Sequence, residues 1–164
     1  MINMNETKIS KDASGKKLIV TRDFNAPVEK VWRAWTDSSI LDTWWAPRPW
    51  RAITKSMDFS EGGHWMYAMT SPEGEKHWCK VDYKTIDAPK NFTADNGFCD
   101  EHGNTTYEAP LMHWLVQFAS SGAGTSITVD IGFDSEADLE KIVAMGFKEG
   151  FTMGLNNLDE VLAG

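Results

Sequence analysis

The chain of 164 residues has four histidines, His64, His77, His102 and His113, and two cysteines, Cys79 and Cys99. His77 and Cys79 are two apart in a segment with strand alternation, so they share a face. With His113 from another strand they would make a three-ligand metal set if the fold brought them together. Nothing in the spacing demands that convergence, and surface or hydrogen-bonded histidine is the commoner use, so no metal is expected. For acid–base work, a carboxylate or imidazole desolvated among aromatic rings would acquire a shifted pKa. Asp58, His64 and His113 are the polar candidates for a cavity, with Glu61, Asp82 and Tyr67 beside them. No pair among them is spaced so as to single itself out. There is no G-x-S-x-G elbow, no H-E-x-x-H helix and no glycine-rich phosphate loop after a strand. No catalytic residue and no cofactor is assigned on this basis.

Binding is the better-supported chemistry. The chain holds eight Trp, eight Phe and eight Met, a load that implies a broad aromatic interior or an aromatic-lined cavity with a deformable wall. Trp44, Trp45 and Trp50 cluster where a helical corner meets a Pro-flanked loop. Trp65, Tyr67 and Met69 share one strand face, against His64, Met66 and Ala68 on the other. Met112 and Trp114 share a face with Val116 and Phe118, and Trp78 sits on a further strand. Opposite them, Gly146, Gly150 and Gly154 recur every four residues beside Phe147. In a helix interior each glycine costs about 1 kcal/mol relative to Ala, so either a close backbone approach or room for a ligand should offset them. These thirteen residues, from Trp44 to Gly154, are the cavity candidates.

Several elements must position them. Apolar spacing from Leu139 through Val143, Phe147, Phe151, Leu155, Leu158 and Leu162 predicts one long amphipathic helix over Ser135 to Leu162, with Ser135 as its N-cap and Asp138 three residues on. Leu18 to Phe24 reads as a strand whose inward face is interrupted by Arg22. Pro27 opens a helix bearing Val28, Val31, Trp32 and Trp35, and Thr36 or Asp37 caps a short second one ending before Pro47. Period-2 segments follow at Ala52–Phe59, Gly63–Thr70, Lys76–Ile86, Asn91–Asn96, Leu111–Ser120 and Thr125–Phe133. Turn residues such as Ser71-Pro72-Glu73-Gly74 separate them. The acidic stretch from Phe98 to Pro110 is a surface loop long enough to act as a lid. Without βαβ alternation the class is α+β, a curved antiparallel sheet in the order β-α-α-β-β-β-β-β-β-α around the C-terminal helix. Residues 1–17 are expected to be a flexible N-terminal segment with a short edge strand near Thr7–Ser10, and 18–164 a single domain.

The net charge of −8 argues against nucleic acid and against an anionic membrane surface. No apolar run resembles a signal peptide or approaches the roughly 20 residues of a membrane span. Two cysteines do not make a disulfide scaffold, and a cytoplasmic setting is expected.

Three runs carry a family resemblance: Arg22 to Pro27, Val31-Trp32-Arg33-Ala34-Trp35-Thr36-Asp37, and Leu41-Asp42-Thr43-Trp44-Trp45-Ala46-Pro47. Met57 to Gly63, Ser71 to Gly74 and Gly146 to Gly150 extend it. Together they resemble the activator-of-heat-shock-protein-ATPase homologues of the START-like (SRPBCC) superfamily. The chain departs from the pattern at Ala46, where Gly is common, which stiffens the Trp45–Trp50 loop. The resemblance implies a helix-grip fold with a hydrophobic cavity between sheet and C-terminal helix. It implies a small hydrophobic or amphipathic ligand as partner. Contact with a chaperone is the alternative, and a cyclase- or hydrolase-like activity on an aromatic substrate the second. A monomer or a homodimer is expected.

Overall fold

The computed structural model describes residues 6–164; of the flexible start expected at residues 1–17, residues 1–5 lie outside the described residues. The chain runs β1 (Lys8–Lys11), β2 (Lys17–Phe24), α1 (Val28–Thr36), α2 (Ser38–Trp44), β3 (Arg51–Met57), β4 (His64–Thr70), β5 (Lys76–Asp87), β6 (Asn91–Phe98), β7 (Met112–Ser121), β8 (Gly124–Gly132), α3 (Glu136–Ala144) and α4 (Phe147–Ala163). Its strands form one antiparallel sheet in the order β1-β2-β8-β7-β6-β5-β4-β3. From β3 to β8 every strand pairs with its successor through a hairpin, while β2 pairs with β8, Val20 facing Val129. A bulge between Thr54 and Ser56 interrupts the β3 edge.

Alternation decides which side of the sheet is covered. Leu18, Val20 and Phe24 on β2 and Ile127, Val129 and Ile131 on β8 are buried on one face, where the helices pack. Arg22 shares that face and is buried too. Its guanidinium donates to Thr7 Oγ1 at 2.7 Å and to Asn156 Oδ1 at 2.6 Å, and pairs with Asp159, so the charge is met on α4 rather than left alone.

Local signals set the helix ends. Asp37, not Thr36, caps α2, its Oδ1 accepting from Ser39 N–H at 2.9 Å. Ser135 Oγ accepts from Asp138 N–H at 3.1 Å and starts α3. The single long helix expected over Ser135 to Leu162 is instead two helices. Gly146 takes φ +90°, a left-handed conformation favoured by glycine, and the chain turns there before α4 begins at Phe147. Gly146 is thus a helix terminator and not a member of an in-helix stripe. The helix-grip architecture is unaffected, with α4 gripped against the inner face of the sheet through Trp114 and Phe151, 5.3 Å between ring centroids. Among the described residues no helix is long and apolar enough to cross a membrane.

Candidate functional site: a cavity between sheet and C-terminal helices

A cavity of about 250 Å³ lies between the inner face of β4–β7 and the α3–α4 turn. It exists because α2 is docked firmly onto one end of α4 and nothing fills the space beside the other end. At Gly154 an added Cβ would lie 3.1 Å from the Trp45 carbonyl oxygen and 3.4 Å from that of Trp44. Buried Asn157, one turn on, donates through Nδ2 to the carbonyls of Trp44 at 3.4 Å and Ala46 at 3.3 Å. These contacts hold the end of α2 so that the Trp45 indole projects toward the sheet, where its Nε1 donates to Tyr67 Oη at 2.8 Å. One turn back, at Gly150, a Cβ would meet only Pro47 Cγ at 3.8 Å.

The walls are aromatic and thioether. Trp45 packs edge-on to Phe151 at 6.2 Å and lies 6.0 Å from Trp114. Phe147 stacks on Phe151 at 5.5 Å. Met69, Met112 and Met145 contribute sulfur-bearing side chains, Met145 at the rim with 53% of its surface exposed. The titratable groups that border the space are Tyr67, Cys79 and Lys80. Burial raises the Tyr67 phenol well above its usual range. Burial also pushes the Cys79 thiol up to about 12. Both are therefore neutral at neutral pH. The Lys80 ammonium is held by the Gly103 carbonyl at 3.2 Å and by Asp82 at 3.7 Å. The cavity is an apolar chamber whose buried hydrogen-bonding groups, Tyr67 and Cys79, are neutral, with the Lys80 ammonium tied to other groups at its border.

Eight of the expected cavity residues border it: Trp45, Tyr67, Met69, Met112, Trp114, Gly146, Phe147 and Gly150. The other five lie elsewhere. Trp44 is buried core, its Nε1 donating to the Ala34 carbonyl at 3.0 Å, and Trp65 stacks behind Tyr67 at 4.1 Å. Gly154 admits the α2 backbone, as described. Trp50 packs against His77 at 5.4 Å, and Trp78 lies on the outer face between the ammonium groups of Lys55 and Lys76, 5.6 and 5.9 Å away.

The three polar candidates are corrected in the same way: none borders the cavity. Exposed Asp58 accepts from Ser60 Oγ at 2.8 Å in the β3–β4 turn. His64 is the outward neighbour of inward Trp65 and lies 3.5 Å from Ser56 Oγ. His113 is outward beside inward Trp114, with Asp95 at 2.8 Å and Asp134 at 3.0 Å. Among the described residues no group of three metal-ligating side chains comes together. The acidic loop lies over the outer face, where Lys55 Nζ reaches the Glu101 carbonyl at 2.6 Å, and its two ends, Phe98 on one side and Ala109 and Pro110 on the other, border the cavity. Sequence reasoning missed Pro47, Asn96, Phe98, Ile142 and Phe151 as lining residues. Phe151 was visible in the apolar spacing of α4, and Asn96 in the alternation Phe92, Ala94, Asn96.

Geometry and ancestry agree. The profile of the family described as "Activator of Hsp90 ATPase homolog 1-like protein" matches residues 25–163. The chain belongs to that family. It is part of the START-like superfamily, and its helix-grip fold recurs in solved relatives. A protein from Arthrobacter aurescens is 33% identical, with 95% of this chain and 91% of that one covered and a TM-score of 0.89. A protein from Mycobacterium smegmatis is 29% identical over 95% of this chain and 96% of that one, with a TM-score of 0.87. A family protein from Silicibacter pomeroyi, 19% identical over 90% and 97% with a TM-score of 0.70, shares the fold. A search of curated proteins gives no match. Membership is consistent with ligand binding and with co-chaperone-like roles.

Proposed function

We propose that this protein binds one small, uncharged, largely apolar molecule in the cavity between β4–β7 and the α3–α4 turn. The observation that carries the reading is the space beside Gly150, about 250 Å³ and walled by Trp45, Trp114, Phe147 and Phe151. A cavity of about 150 Å³ holds benzene, so this one suits a fused bicyclic ring. Bound there, such a molecule exchanges water for aromatic and thioether contacts at about 25 cal/mol per Å² of apolar surface buried. The binding unit is the whole domain, 18–164, and the two free thiols, Cys79 and Cys99, suit a reducing, cytoplasmic setting.

The test is a tryptophan-fluorescence titration with naphthalene. Saturable quenching is expected in the wild type. In Gly150→Leu the new side chain occupies the chamber, and affinity should fall at least tenfold with the melting temperature retained. Absence of saturable binding, or equal affinity in the variant, would overturn the reading.

The family description favours a second reading, contact with a heat-shock-protein ATPase. Purified Hsp90 whose ATPase rate is unchanged by a molar excess of this protein would remove it.

A further inference from the structure

Five buried side-chain polar atoms lack a hydrogen-bond partner among the described residues: Arg22 Nε, Trp35 Nε1, Asn96 Oδ1, Thr106 Oγ1 and Trp114 Nε1. Three of the five, on Trp35, Asn96 and Trp114, belong to residues that border one small space of about 20 Å³. That space shares Trp45, Asn96 and Trp114 with the main cavity and so lies directly behind its wall. Orphaned buried polar groups are rare because each forfeits its hydration, and three residues that carry them and border one space point to an occupant. About 10–15 Å³ is enough for one water-sized sphere.

The chemistry of the three atoms specifies that occupant. An indole N–H only donates, and a carboxamide oxygen only accepts. The complement is an atom that accepts twice and donates once, which is the inventory of a neutral hydroxyl or of water. A carboxylate has no proton for Asn96, and an ammonium has no lone pair for the two indoles. Asn96 is 8% exposed, so bulk solvent does not do this work.

We propose that Trp35, Asn96 and Trp114 form a subsite for one neutral O–H oxygen at the floor of the cavity. Its occupant is the hydroxyl of a bicyclic ligand, or a resident water against which the ligand packs. The ligand form rests on the cavity reading above.

The experiment titrates ¹⁵N-labelled protein with 2-naphthol, naphthalene and 2-naphthoate, following the eight indole N–H signals. Trp35→Phe and Trp114→Phe assign two of them. For the hydroxyl source, 2-naphthol should bind roughly fivefold to tenfold tighter than naphthalene. It should also shift the Trp35 and Trp114 signals, and Asn96→Leu should abolish the advantage. For the water source, the two hydrocarbon-core ligands should bind equally while both indole protons keep cross-peaks to a long-lived water. Trp35→Phe removes one donor and should weaken either signature if Asn96→Leu does not fold. Equal affinities without water cross-peaks would overturn the subsite and leave the cavity reading standing. Tightest binding by 2-naphthoate would overturn it as well, because a carboxylate has no proton to donate to the Asn96 carboxamide oxygen. If no probe binds, the cavity reading fails, and the water cross-peaks alone decide the subsite.

Discussion

Gly150 and Gly154 sit one turn apart on the same helix, and their surroundings are opposite. Around Gly154 two backbones touch. The carbonyls of Trp44 and Trp45 press onto the helix, Asn157 donates to the neighbouring carbonyls, and Trp44 itself is fully packed and hydrogen-bonded. Around Gly150 only a proline ring comes within contact, and the aromatic side chains stop short of the helix. Both ends are built from tryptophan and phenylalanine, so composition does not make one solid and the other hollow. What differs is whether main chain or side chain faces the missing Cβ. A backbone arriving at a glycine can be held in place by hydrogen bonds to its own carbonyls. Side-chain rings meeting edge to face leave gaps unless their number and shape fill the volume.

The sharpest way to break this comparison is Gly154→Leu. Its Cβ would already meet a carbonyl oxygen at 3.1 Å, so the side chain forces α2 away from α4. A loss of about 3 kcal/mol or more is expected in urea unfolding. Wild-type stability in this variant would mean that the two backbones do not touch in solution. A smaller effect of opposite sign is expected for Gly150→Ala, where an ordinary 3.8 Å contact awaits the new methyl. The better helix former should add up to about 1 kcal/mol and raise the melting temperature by roughly 2–4 °C. A lower melting temperature would show the space beside Gly150 to be already filled.

The smallest effect belongs to the outer face, which neither end of the core reaches. His113 is raised above the usual histidine range, chiefly by its hydrogen bond to Asp95, against some desolvation and with help from Asp134. Because its folded pKa is the higher one, its contribution is complete below the unfolded value of about 6.5 and is lost as pH rises through the folded value. The imidazole is 43% exposed, so solvent screening keeps the effect well under about 1 kcal/mol. Comparing wild type with His113→Gln from acid to alkaline pH should show a gap that closes as pH rises. A gap that widens would contradict the sign.

The sequence alone made the fold legible where local rules act alone. Alternation placed six of the strands near their observed bounds, Pro27 placed α1, and the Ser135 cap placed α3. The break at Gly146 was hidden because apolar spacing continues across it from Leu139 to Leu162. Two successive helices can carry the same apolar spacing along the sequence as one long helix. At the site, the face shared by Trp65, Tyr67 and Met69 and that shared by Met112 and Trp114 were readable as pairs of options, without a rule for which side is inside. Nominating His64 together with Trp65, and His113 together with Trp114, mixed the two sides, since neighbours on a strand cannot both point inward. Asn96 escaped notice for a physical reason. A strand asparagine is ordinarily a surface residue, and only burial beside two orphaned indoles gives it meaning.

Among the described residues the open sheet ends in two borders, β1 and β3, and each is unsuited to growth. β1 is four residues long with a lysine at either end, Lys8 and Lys11. β3 carries Arg51 and Lys55, and its bulge between Thr54 and Ser56 spoils the register that an incoming strand would need. Like charges meeting across such a border, with hydrogen-bond donors and acceptors out of step, oppose the edge-to-edge addition that seeds fibrils. A chain with a partly hollow, aromatic interior is thereby kept from polymerising through its own sheet.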